Sequence, residues 1–375
     1  MRFVWLAWLA FAALPALTGC RELLGLDDPT PGSTDAPGPD ATLTCFGHSG
    51  WEICTDSIPA AIPGLSGVFD TDSDARCMSP QHANWTTADQ PAACIVVAAQ
   101  ITTYATTFVT GSRPLVLIAQ TSITIPTGTL LDGASHHGSA SGPAALGASC
   151  PSFATTPGNA ITGGGGGAGA SFGSLGASGG GGNGGAAPGG TMQAIVGAVP
   201  VMRAGCRGQS GGDGNVAAPG VGGVGGGALY LVAGNTIVID GAVDTSGGGG
   251  IGGSSRSGGG GGGSGGLIAV FAPMVTGSGA IVANGGGGGA GGENSQTAGG
   301  NGFDPVPSNP LVHAAGGVGQ NGAGNGGQGA AATAATAGIT GSSGRGGGGG
   351  GGGTGIVLSN VGSMSVTFSP APTAW

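Results

Sequence analysis

The chain has 375 residues, 92 of them Gly, and only 7% are charged. Its eight Lys-plus-Arg positions are all Arg, and the absence of Lys removes the phosphate-gripping Lys of a P-loop, Schiff-base chemistry and a Lys-rich stripe for a nucleic-acid backbone. The net charge of −9 is placed N-terminally: eleven of the 17 acids precede residue 100 and six acids face five Arg beyond it, so the long C-terminal part is nearly neutral and nucleic acid is not an expected partner.

Residues 1–19 read as an export signal, with Met1-Arg2 as a short positive region and Phe3 to Leu17 as an apolar run. That run is shorter than the roughly 20 residues a spanning helix needs. Leu17-Thr18-Gly19-Cys20 resembles the lipobox of bacterial lipoproteins. The resemblance implies cleavage before Cys20 and acylation of its thiol and new amino group, which would anchor the chain to a membrane. Arg21 follows the cysteine, so an outer-membrane or cell-surface destination is expected. Residues 20–43 then form an acylated, Pro/Asp-rich tether, with Pro29, Pro31, Pro37 and Pro39 among Asp27, Asp28, Asp35 and Asp40. Such a composition builds no core and acts as a spacer.

Residues 44–93 are expected to pack as a Cys-rich cap holding Trp51 and Trp85. Beyond Cys20, six cysteines remain, an even number suited to an oxidising compartment: Cys45, Cys54, Cys77, Cys94, Cys150 and Cys206. Nearest-neighbour pairing (45 with 54, 77 with 94, 150 with 206) is one of fifteen connectivities. A zinc site is the alternative, against which stand the absence of a CxxC spacing and the scatter of the five His. Asp70-Thr-Asp72-Ser-Asp74 alternates carboxylates as calcium loops do, although Ala75 stands where such a loop has Gly and Gln81 where it has its closing Glu. Asp70, Asp72 and Asp74 are therefore candidate calcium ligands, the alternative being a solvated acidic turn. No other cofactor is implied.

From residue 94 to 375 the pattern turns β. Cys94 to Tyr104 and Leu115 to Ile125 share a form that sets Gln100 and Gln120 twenty positions apart. Copies return at Leu229 to Val243, at Leu267 to Val275 with Gly279 to Val282, and at Ile356 to Asn360 with Met364 to Phe368. Each is a short apolar strand, a turn and a second strand, which stacking would bury in one core. The predicted fold is mainly β, a right-handed parallel β-helix (solenoid) with long glycine-rich loops. An antiparallel β-sandwich is the alternative, and Asp132-Gly133 and Asp240-Gly241 would be its hairpin turns. The insertions at 158–190, 205–227, 245–266, 284–302 and 315–355 are dominated by Gly. They either pack as extended, hydrogen-bonded polyglycine or stay flexible on one edge, and flexible loops are the expectation because a free Gly chain pays the highest ordering entropy. The absence of a strict every-third Gly excludes collagen. Val366 to Trp375 is expected to leave an apolar end for a partner to cap.

Among possible active-site motifs, the serines of Gly262-Gly-Ser264-Gly-Gly266 and Gly208-Gln-Ser210-Gly-Gly212 fit GxSxG, a match expected by chance in so much Gly. His136-His137 beside Asp132 is the most site-like cluster. Asp132, Asp240, Asp244 and Arg113 are too sparse on the strands to predict a catalytic carboxylate pair. The lipobox followed by Arg21 to Pro29, the Asp70-Thr-Asp72 turn before Cys77, and Gly111 to Ala119 leading into the Gly-rich half together resemble uncharacterised glycine-rich lipoproteins of myxobacterial type. That resemblance implies a cell-envelope location and no activity. The expected function is a lipid-anchored surface protein of structural or interaction role, contacting surface polysaccharide or other envelope proteins and not an enzyme. The alternatives are a calcium-dependent binding module and a polysaccharide-active β-helix enzyme.

Overall fold

In the computed structural model the described residues are 43–375 except 61, 63, 79–80, 198, 215–217, 294–296 and 362–364. The signal, Cys20 and the tether up to residue 42 lie outside them, as does Met364. At 3% helix and 27% strand the protein is mainly β.

The stretch expected to form a cap, called the cap below, begins with an antiparallel hairpin of β1 (Thr44–Phe46) and β2 (Ile53–Thr55) and is continuous with the rest of one unit spanning Leu43–Trp375. Strand β3 (Leu65–Asp70) and one short helix, α1 (Ala83–Thr87), follow. The next strand, β4 (Cys94–Thr110), is long. After it come β5 (Leu115–Ile125) and β6 (Leu130–Asp132). A second hairpin pairs β7 (Phe153–Thr155) with β8 (Thr191–Gln193). Two triplets return to the main sheet: β9 (Ala228–Ala233), β10 (Thr236–Ile239) and β11 (Ala242–Asp244), then β12 (Leu267–Phe271), β13 (Met274–Thr276) and β14 (Ala280–Val282). The series ends with β15 (Ile356–Ser359), β16 (Thr367–Ser369) and β17 (Thr373–Ala374).

Among the described residues thirteen strands make one sheet, and all of its pairings are parallel. That removes the antiparallel sandwich, and Asp132-Gly133 and Asp240-Gly241 are not hairpin turns. The pairings form three ladders. The first runs β4-β5-β9-β12-β15-β17, the second β5-β10-β13, and the third β4-β6-β11-β14-β16 with β3 at its edge. Side chains facing inward from all three build one core, including Leu117, Leu231 and Val270 from the first ladder, Ile123 and Ile237 from the second, and Val109, Leu131 and Ile281 from the third. The first ladder is buried on its other face too, where Ile95, Val116, Tyr230 and Leu267 meet Trp51 and Trp85 of the cap. Burial on both faces explains its near-continuous apolar runs.

The register differs from the one the glutamines suggest. Cys94 to Ala98 pair with Leu115 to Ala119, and after a bulge Gln100 lies opposite Ser122, not Gln120. Apolar alternation sets the pairing, since a slip of one residue would turn the core face outward. The bulge accommodates the bend between ladders. At the far edge the chain covers itself. Asn360 offers its side-chain amide to both the N–H and the C=O of Ala272, and Val366 is buried. Trp375 stacks on His48 with centroids 4.7 Å apart and meets Trp51 and Tyr230 edge-on. Trp375 thus packs within the chain, on aromatic residues of the cap and of β9.

The glycine-rich segments are the main departure from expectation. Their central stretches, among them 163–172, 257–266 and 346–355, are buried and hydrogen-bonded, while much of 315–345 lies at the surface, and the segment from 258 to 266 shows how the bonding runs. The N–H groups of Gly258, Gly261 and Ser264 donate to the carbonyls of Gly212, Gln209 and Cys206. Those of Gly259, Gly262 and Gly265 donate to Gly347, Gly350 and Gly353, and those of Gly260, Gly263 and Gly266 to Ile251, Gly248 and Thr245. The partner changes at each residue and returns every third one, the signature of an extended helix with about three residues per turn. Carbonyls in 256–264 accept from three more segments, through Gly164, Gly167 and Ala170, through Gly220, Gly223 and Gly226, and through Gly286, Gly289 and Gly292. One chain is thereby ringed by six neighbours. Such a helix has no internal hydrogen bonds, so in this array neighbouring chains supply what water supplies to an isolated one. A Cβ on Gly261 would stand 1.9 Å from the carbonyl oxygen of Ala168, which is why the array is glycine. Gly227, Gly266 and Gly355 lead directly into β9, β12 and β15, so the array continues the first ladder without an intervening turn.

Candidate functional site

Asp132 and Asp244 end β6 and β11, where the chain leaves the third ladder, and they sit side by side in register. One oxygen of each accepts the backbone N–H two residues ahead, at Ala134 (3.0 Å) and Ser246 (2.8 Å), which turns the strand end toward the glycine array. Both are buried. His136 follows Asp132 by one short turn, and its Nε2 lies 3.1 Å from Asp132 Oδ2. Its Nδ1 lies 3.5 Å from Oδ2 of Asp304. Asp304 also accepts the N–H of Gly249 at 2.7 Å and of His137 at 3.2 Å, and the His137 ring stands 3.2 Å away.

The two carboxylates facing His136 raise its pKa to about 10, the hydrogen bond to Asp132 contributing most, that to Asp304 next, with burial opposing. The ring is thus an imidazolium at neutral pH, with a donor for each carboxylate. Burial pushes Asp304 upward, yet the hydrogen bonds from His136, Gly249 and His137 hold it below the usual carboxylate value. Burial, and then the neighbouring Asp132, raise Asp244 to about 7, while its bonds from Ser246 and the charge of His136 oppose the rise. A protonated histidine between two carboxylates is a tie between elements. It joins the end of the third ladder to the segment carrying Asp304 and, through Gly249, to the array.

A group whose folded pKa is raised contributes stability that is complete below its ordinary value of 6.5 and is lost as pH rises through about 10. Substituting His136→Gln is expected to lower stability near pH 7 by about 2 kcal/mol, well under the full linkage value because the ring is a third exposed and solvent screens it. The variant should also flatten the loss of stability between pH 7 and 10. Urea midpoints across that range measure both, and parallel parent and variant curves would contradict the assignment.

The acidic turn is arranged differently from a calcium loop. Asp70 accepts the N–H of Asp72 at 3.0 Å and the hydroxyl of Ser73 at 2.8 Å. Asp72 turns to Ser112, accepting its N–H and hydroxyl at 2.7 Å, with Arg113 3.5 Å away. Asp74 holds Arg76 through both oxygens, at 2.8 and 2.7 Å. The three carboxylates serve three different partners and are not among the described groups with metal-like spacing, and the role their contacts show is structural: the turn ties the end of β3 to the turn between β4 and β5. Bonds from Ser112, opposed by burial and aided by Arg113, lower the pKa of Asp72, and bonds from Arg76 lower that of Asp74.

The six cysteines form disulfides with the nearest-neighbour connectivity, Cys45–Cys54, Cys77–Cys94 and Cys150–Cys206, which removes the zinc alternative. Among the described residues the group with metal-like spacing is Cys45, Glu52 and Cys54, and its sulfurs are joined to each other. Ser264 is buried, with its hydroxyl accepting the N–H of Cys206 at 2.8 Å, and Ser210 lies within the array, so neither sits on a nucleophile turn. Asp240 accepts the N–H and hydroxyl of Ser278, and Arg113 lies with the acidic turn. The structure therefore unites Asp132, His136 and His137 as the sequence suggested. It adds Asp244, which the strand register aligns, and Asp304, which no local signal in the sequence marked. No known protein family, curated protein or solved structure matches the chain. Among the described residues no helix is long and apolar enough to cross a membrane.

Proposed function

We propose that this is a lipid-anchored protein of the cell envelope, of the glycine-rich myxobacterial lipoprotein type, held at the outer membrane or cell surface through Cys20. Its folded part acts as a rigid right-handed β-helix, braced by the polyglycine array, with a structural or interaction role and no catalytic one. The stacking of β5, β9, β12 and β15 in one parallel ladder supports the β-helix reading, and three disulfides support export to an oxidising compartment.

The observation that carries the interaction role is a set of exposed apolar side chains, Phe303, Val306, Val312 and Val318, on two surface hollows that share Phe303, beside the Asp304 that ties this segment down. Clustered exposed apolar groups on a rigid support mark contact surfaces. The partner is a neighbouring component of the envelope, surface polysaccharide or protein. Labelling with an alkyne fatty acid in a bacterial host tests the anchor. The parent should take up label and sediment with membranes, and Cys20→Ala should do neither. A parent chain that stays unlabelled and soluble would overturn the proposal.

A further inference from the structure

A cavity of about 330 Å³ lies between the cap and the segments joined by Cys150–Cys206, lined by Asp89, Pro114, Ala148, Ser149, Met202 and Arg203 among others. Its walls are mostly Ala, Pro, Val and Met, and a volume of this size suits a small organic molecule. Arg203 stands apart from the chain's other cations near this cap. Arg76 is paired with Asp74 and Arg113 with Asp72, whereas no carboxylate among the described residues forms an ion pair with Arg203. Its Nη2 donates to the carbonyl of Ser149, its guanidinium lies 5.6 Å from the Phe172 ring centroid, and its Nε is buried without a partner. Burial with no neighbouring anion lowers its pKa. A half-buried guanidinium without a carboxylate partner is costly to hold, and an anion supplied from outside to its cavity-facing side would offset that cost.

We infer that the cavity is a binding site for a small organic monoanion, a carboxylate with a short apolar body, whose anionic group pairs with Arg203 while its apolar part lies against Pro114 and Met202. Asp89, exposed and on the same lining, adds a negative charge that disfavours dianions. The single-charge requirement follows from a lining that carries one cation without an ion pair and one carboxylate. The site stands independently of the anchor and of the apolar patch at Phe303.

Hexanoate is the probe, with hexanol as the uncharged control, added to the disulfide-intact full-length chain and followed by thermal melting and saturation-transfer NMR. Hexanoate should bind saturably and raise the melting temperature by about 5 °C at roughly a hundredfold excess over Kd, while hexanol should produce under a tenth of that shift. Arg203→Met should abolish the hexanoate shift, and Ala148→Phe, which fills the cavity and leaves Arg203 in place, should abolish it as well. The second variant keeps the test decisive if the first fails to fold. Equal shifts from hexanoate and hexanol, no shift from either, or undiminished hexanoate binding in the folded variants would overturn the proposal.

Discussion

Gly261→Ala is expected to abolish the folded state or to destabilise it by more than about 4 kcal/mol, the range reached by severe overpacking. The added methyl would lie 1.9 Å from the carbonyl oxygen of Ala168 and 2.3 Å from its carbon, whereas real Cβ atoms essentially never come within 3.0 Å. No side chain can swing away there, since the obstructing atoms are backbone. Backbone displacement would also disturb the bonds that Gly261 and its neighbours make to the surrounding segments. Gly147→Ala is the matched control, because a Cβ there meets nothing within 4 Å, and it should stay within about 1 kcal/mol of the parent. Expression as soluble protein and urea midpoints give the comparison. Two variants of equal stability would mean that the glycines do not touch as described.

Removing the Cys150–Cys206 disulfide by the double substitution Cys150→Ser/Cys206→Ser carries the other large effect. Its cysteines are 56 residues apart, against 9 and 17 for the other two bridges. Chain-entropy reasoning gives about 4 kcal/mol for a loop of that length. The enclosed sequence contains the 158–190 glycine region, whose free chain has the most entropy to lose. The carbonyl of Cys206 also accepts the N–H of Ser264, which places the bridge at the edge of the array. The urea midpoint of the oxidised parent against the double variant measures the loss, and an unchanged midpoint would show that the array orders itself without the bridge.

How much could be read beforehand varies with the reach of the forces involved. The disulfides were legible because each cysteine pairs with its neighbour in chain order, whatever the length of the loop between. The first ladder was legible because strands buried on both faces leave continuous apolar runs, and Leu115 to Ala119 do pair residue for residue with Leu229 to Ala233. The second turn of each unit was harder: Gln100 and Gln120 are polar residues on a bend, and polarity there constrains register little. The partners of Asp70, Asp72 and Asp74 were not legible because alternating acids are the same in sequence whether they face a cation or three separate donors, and the donors of Asp72 lie 40 residues away.

The glycine array was the least legible. Entropy argues for flexible loops, and it is overcome by a cooperative hydrogen-bond lattice that no single segment can form. A sequence clue exists nonetheless. The Gly runs end directly on Ala228, Leu267 and Ile356, with no Pro, Asn or Asp to make a turn, as continuous extended chain requires. In the candidate site, Asp132 and His136 were visible through their spacing, whereas Asp304 reaches His137 from 167 residues away.

Amide hydrogen exchange on the glycine segments is the most direct measurement of whether they are a hydrogen-bonded layer of the protein. Peptides covering 258–266 and 346–355 should exchange as slowly as those covering β9 and β12, since their N–H groups are bonded to neighbouring chains. Exchange at the rate of an unfolded chain in those peptides, with β9 and β12 still protected, would contradict the array and return the glycine segments to loops.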